Sequence, residues 1–108
     1  RTRNASELAG HPRGNPAMLV VVTYDITDPK RLRQVAECCK DYGIRVQYSV
    51  FECHLEASQF EALWERLCNI AKKDEDRLVA YPIHGSHRQH IQTYGQMICS
   101  EVVVSYQF

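Results

Sequence analysis

The sequence contains no apolar run near the roughly 20 residues that a helix needs to span a bilayer, and no leader-like segment at its start. It has no internal repeat, no low-complexity stretch and no glycine-rich phosphate loop; Tyr94-Gly95 reads only as a turn. Nothing suggests a Ser-His-Asp or Cys-His catalytic arrangement. The five cysteines (Cys38, Cys39, Cys53, Cys68, Cys99) include no Cys-x-x-Cys pair, and an odd number fits a disulfide framework poorly. Reduced core thiols in a cytoplasmic protein are the expectation, with adjacent Cys38 and Cys39 pointing in different directions from one helix. Neither sign of charge is in excess: 13 Lys and Arg balance 13 Asp and Glu, which excludes a uniformly basic nucleic-acid binder.

What is present is one domain's worth of chain with ordinary apolar content, 44% of 108 residues. Residues 1–17 lack periodicity and read as an N-terminal extension, so the domain is expected over 18–108. Met18 opens a continuous run, Leu19-Val20-Val21-Val22-Thr23-Tyr24, that predicts a central strand buried on both faces and ending at Asp25. Asp28-Pro29 is a helix opening, an acid at the cap followed by proline in the first turn. Leu32, Val35, Ala36 and Cys39 then form one apolar stripe, and Gly43 is expected to close that helix.

In residues 44–55, Ile44, Val46, Tyr48 and Val50 alternate, after which Phe51, Cys53 and Leu55 take the opposite parity. That phase change predicts a bulge, a kink or a tight turn between two short strands. A second helix is expected to open on Ser58 with Glu61 completing a capping box, and to bury Phe60, Leu63, Trp64, Leu67, Ile70 and Ala71. Arg77 to Ile83 reads as a strand in which Pro82 marks an end or a sheet edge. A looser segment follows, and Glu101 to Phe108 forms a last strand free to pair with another subunit. The β-α-β-β-α-β order with one-sided helices predicts an α+β sandwich, ferredoxin-like, with an extra C-terminal strand.

Asp25 is the first candidate for chemistry. Asp28 already caps the helix, so Asp25 is either a turn acid or a ligand. One carboxylate makes a poor magnesium site, but a two-fold dimer would pair two copies of it. Lys30, Arg31 and Arg33 open the first helix and Arg45 opens the next strand; arginine's planar donor fork suits phosphate. Between Ile26 and Phe51 five bases face three acids, whereas between Glu52 and Asp76 seven acids face three bases, so opposite partners or solvated faces are both open readings. His84-x-x-His87-x-x-His90 would suit a metal if helical, but Gly85 and Ser86 favour a loop in which the three do not converge.

Tyr24-Asp25-Ile26, the helix from Lys30-Arg31-Leu32-Arg33 to Tyr42-Gly43, and above all Arg45-Val46-Gln47-Tyr48-Ser49-Val50-Phe51-Glu52 resemble CRISPR-associated protein two. The resemblance implies a ferredoxin-like homodimer in which Asp25 of each subunit faces its twin and binds Mg²⁺ or Mn²⁺. It brings Tyr24, Arg45 and Phe51 to the same catalytic site, and makes Lys30, Arg31, Arg33 and Arg45 nucleic-acid contacts. It further implies a partnership with the CRISPR integrase, CRISPR-associated protein one, in spacer acquisition, and in some members a metal-dependent endonuclease acting on RNA or duplex DNA. A nuclease and a non-cutting scaffold both fit, and a small-molecule regulatory domain of the same sandwich type is the third alternative.

Overall fold

The computed structural model describes residues 17–95, so the terminal strand expected over Glu101 to Phe108, and Cys99 with it, lies outside the described residues. The elements run β1 (Met18–Asp25), α1 (Pro29–Lys40), β2 (Gly43–Gln47), β3 (Val50–Leu55), α2 (Ala57–Ile70) and β4 (Arg77–Ile83), followed by a 3-10 helix, Gly85–His90. The strands form one four-stranded sheet in the order β2-β3-β1-β4, antiparallel throughout, which is the ferredoxin-like α+β arrangement.

Strand alternation divides β1 between two environments. Val20, Val22 and Tyr24 join the core with Phe51, Cys53 and Leu55 of β3, Val35, Cys38 and Cys39 of α1, and Leu63 and Leu67 of α2. Val21 and Thr23 face the other way and are only half-buried, so the expected burial on both faces is complete on the core side and on the other side only at Leu19. Both helices cover the same side of the sheet. On the helix-free side Leu19 is fully buried; the 3-10 helix lies against β1, and its Arg88 Nη2 sits 3.0 Å from His54 Nε2 of β3.

The phase change in 44–55 has two causes. A tight turn at Tyr48-Ser49 separates β2 from β3, and the register slips between Arg45 and Gln47. Pro82 sits near the end of β4, which is an edge strand, where its missing N–H costs no ladder bond.

Four local expectations are corrected. Gly43 does not close α1: that helix ends at Lys40, where the Asp41 N–H returns to the Cys38 and Cys39 carbonyls. Gly43 starts β2 instead, where a Cβ would run into the Glu52 carbonyl oxygen and the Cys53 sulfur; close strand approach is what requires glycine. Helix α2 is capped two residues before Ser58, at Glu56, whose N–H donates to Gln59 Oε1 at 2.8 Å. Leu32 stands 41% exposed while Cys38 and Cys39 are both buried, so the apolar stripe of α1 is rotated toward its C-terminal half. The segment carrying His84, His87 and His90 is a 3-10 helix, not a loop.

Candidate nucleic-acid interface

The C-terminal end of β1 and the N-terminal end of α1 meet at one end of the sheet. Asp28 caps α1 as the sequence indicates, its Oδ2 accepting from the Arg31 N–H at 2.9 Å, with Pro29 in the first turn. Lys30 and Arg33 of the first turns are exposed, and so is Asp25 at the strand end.

The other residues grouped with Asp25 form a separate layer. Tyr24 and Phe51 stack with ring centroids 6.3 Å apart and planes 27° apart, and the Arg45 guanidinium lies 5.4 Å from the Phe51 centroid. The Tyr24 hydroxyl donates to the Tyr48 carbonyl at 3.3 Å, and the Tyr24 N–H donates to the Ser49 carbonyl at 3.2 Å. The β2–β3 turn is thereby tied to the last residues of β1. Alternation along β1 places this stack on the helix side of the sheet and Asp25 on the opposite side. Tyr24, Phe51 and Arg45 therefore underlie the strand end, while Asp25 faces outward from it.

Arg31 does not extend into solvent with its neighbours. Its Nε donates to Asp76 Oδ2 at 2.9 Å, and its Nη2 donates to Asp76 Oδ1 at 3.2 Å and to Glu75 Oε1 at 3.0 Å. Asp76 also accepts from the Thr27 N–H at 3.0 Å, the Thr27 hydroxyl at 3.3 Å and the Lys72 N–H at 2.8 Å. The Arg31 pairing, reinforced by these donors, holds the Asp76 carboxyl far below the usual carboxylate range. The cluster joins the β1–α1 connection to the α2–β4 loop across more than 40 residues of sequence. Local sequence could not announce it, because the charged run Lys72 to Arg77 carries no sign of a partner 45 residues away.

The donor set decides which ion could bind. Among the described residues no group of three or more His, Cys, Asp or Glu side chains gathers around a common point. The rings of His87 and His90 lie 6.4 Å apart and tilted by 60°, without converging. A lone exposed carboxylate does not make a zinc site, which wants four nitrogen or sulfur ligands. Magnesium keeps most of its water and is held by one or two carboxylates plus substrate phosphate, so Asp25 would suit it only with a second carboxylate or a phosphate completing the donor set.

On the helix-free face one cross-strand row runs Ile44, Glu52, Val21, Tyr81. Ile44 and Tyr81 are 40% and 54% exposed, and burial raises the Glu52 carboxyl between them. A second apolar surface, an open groove of about 470 Å³, runs between α2 and β4 with Phe60, Trp64, Leu78 and Ala80 in its wall and Glu61 and Glu65 on its rim. No helix among the described residues is long and apolar enough to cross a membrane.

The family model for CRISPR associated protein Cas2 matches residues 18–91. The chain is 42% identical over 87 residues to a CRISPR-associated endoribonuclease Cas2 of Nitratidesulfovibrio vulgaris, covering 76% of this chain and 85% of that protein. It is 36% identical over 83 residues to a CRISPR-associated endonuclease Cas2 of Halalkalibacterium halodurans, covering 72% and 86%. Among solved structures, Streptococcus pyogenes Cas2 superposes with a TM-score of 0.64 at 40% identity, over 72% of this chain and all (100%) of that one. With its sheet order, its β1 end and its RVQYSVFE hairpin accounted for, the chain belongs to the Cas2 family of CRISPR-associated proteins.

Proposed function

We propose that this chain is a CRISPR adaptation protein that works as a two-fold homodimer, binds nucleic acid through backbone phosphates, and bridges the CRISPR integrase during spacer acquisition. Asp25 is the metal-binding and catalytic carboxylate of an associated endonuclease activity on RNA or duplex DNA. The observation that carries this reading is the solvent-facing Asp25 at the end of the central strand, followed in the chain by a helix whose first turns expose Lys30 and Arg33.

Each residue has a physical task. Lys30 and Arg33 attract the phosphate backbone through their charge, which carries no base information. The Tyr24–Phe51–Arg45 stack, fixed to the Tyr48-Ser49 turn, stiffens the strand end from beneath so that Asp25 keeps its direction. Two copies of Asp25 across a dimer axis repel each other, and Mg²⁺ or Mn²⁺ neutralises them. When bound, such an ion supplies charge neutralisation at the phosphate and an acidified water. The row Ile44–Glu52–Val21–Tyr81, apolar but for Glu52, supports face-to-face dimerisation, because an exposed and mostly apolar sheet face favours a partner. The acid-rimmed groove along α2 repels phosphates and suits a basic protein surface, which is the place for the integrase.

The test is Asp25→Asn, assayed with Mg²⁺ on RNA and on duplex DNA, alongside spacer integration with the integrase present. Cleavage is expected to fall by more than about a hundredfold, the loss seen even when groups behind a metal's direct ligands are removed. Equal cutting by both forms would move the activity away from Asp25. Integration supported by both forms, with cleavage by neither, would leave the bridging role alone.

A further inference from the structure

The first turn of α1 contributes fewer free cations than its sequence suggests. Arg31 is engaged with Asp76 and Glu75 by three hydrogen bonds of 2.9–3.2 Å, and its side chain is only 17% exposed. A phosphate would have to displace a carboxylate whose acceptor positions are filled by Thr27, Lys72 and Arg31 together. The Asp76 side chain has no exposed surface, so such a phosphate could not approach it without opening the cluster.

The next residue in the chain is placed differently. Arg77 begins β4 and stands directly opposite Asp25 in the β1–β4 ladder. Opposed residues of antiparallel strands project from the same face with Cβ atoms about 5 Å apart. Arg77 is exposed, and no ion pair or hydrogen bond engages its guanidinium among the described residues. Its backbone is anchored on both sides, by the ladder to β1 and by the buried Asp76 carboxylate before it.

We propose that Arg77 is the phosphate-binding arginine at the Asp25 end of the sheet, and that Asp76 withdraws Arg31 from that role. The ligand is the phosphodiester backbone of a nucleic acid. Arg77 brings a planar donor fork to the face and the strand end from which Asp25 projects, whereas Lys30 and Arg33 approach from the helix. This inference rests on the nucleic-acid-binding reading of the Asp25 end.

The experiment measures binding of a labelled duplex DNA and a labelled single-stranded RNA in EDTA across a salt series, so that cleavage plays no part. For each protomer whose Arg77 meets the nucleic acid, Arg77→Gln should weaken binding about eightfold at roughly 0.1 M salt and reduce the slope of log affinity against log salt by about one, the signature of a lost phosphate contact. Arg77→Lys, which keeps the charge, should recover most of the slope. Lys40→Gln, at the far end of α1, should leave the slope unchanged. Wild-type binding with an unaltered Arg77→Gln slope overturns the proposal while the binding function stands. A lowered slope in Arg31→Gln with none in Arg77→Gln shows that Arg31 leaves Asp76 to meet the phosphate, and also overturns it. Absence of wild-type binding to either probe removes the proposal together with the reading beneath it.

Discussion

At the scale of single residues, Asp76 has the most consequence for the site. It closes the connection that carries Asp25 into α1, and it sets which arginines reach solvent. Its carboxyl titrates far lower in the fold than in the unfolded chain, because Arg31 and then two backbone N–H groups favour the charged form. A depressed folded value means that the stabilisation is fully present above the unfolded pKa of about 3.9 and disappears as pH falls through the folded one. Asp76→Asn should therefore lower the urea midpoint by a constant amount from neutral pH down to about pH 5, with the difference shrinking below about pH 4. A difference that stayed the same in acid would show that the carboxylate charge is not what holds the cluster. Asp76 was also the residue least visible in the sequence. Asp28-Pro29 announces its cap within three positions, and Asp25 is conspicuous at the end of an apolar run. Lys72 apart, the partners of Asp76 are Arg31 and Thr27, 45 and 49 residues away, and only the folded chain brings them together.

At the scale of elements, the strands and helices were legible wherever periodicity carried them, as in β1, α1 and the Leu63–Leu67 face of α2. The β2–β3 hairpin was ambiguous because a turn and a bulge both reverse side-chain parity, and this hairpin contains both. The sidedness of the Tyr24, Arg45, Phe51 and Asp25 grouping was hidden for a related reason. Adjacent residues of a strand point to opposite faces, so proximity in a motif says nothing about a shared site. The 3-10 helix was missed because Gly85 and Ser86 favour turns, and its contact with β3 depends on Arg88 meeting His54 across 34 positions. That contact has a pH signature. Burial first, and the Arg88 charge second, lower the His54 pKa. The unfolded chain then takes up the proton at a higher pH than the fold does, so stability is complete above about pH 6.5 and declines as pH drops below it. His54→Gln should flatten the urea midpoint between about pH 7 and pH 5.5, and the hydrogen-exchange protection factors of residues 85–90, corrected for the intrinsic rate, should cease to fall on acidification. An unchanged pH slope in that variant would assign the dependence to another group.

For the whole molecule, the sheet has helices on one side and a mostly apolar row on the other. Light scattering of the full chain at micromolar concentration should give twice the monomer mass, and Tyr81→Glu should raise the dissociation constant at least about tenfold by forcing an unpaired charge into the contact. A monomeric wild type would count against the dimer, and an unaffected Tyr81→Glu would place the contact elsewhere. The sheet order has another outcome, in time and not in space. The central strand β1 precedes every other described element in the chain, yet both of its neighbours, β3 and β4, come later, β4 last of the described strands. During synthesis β1 emerges from the ribosome long before the residues that will flank it, and at about 5–20 residues per second it waits several seconds for β4. Its VVVTY stretch is in that interval an unpaired, β-branched segment of the kind that recruits holding chaperones. The β2–β3 hairpin can close on its own as it appears, but the ladder between β1 and β4 cannot begin until Arg77 has been made. The opposition of Asp25 and Arg77 is thus among the last features of the sheet to form.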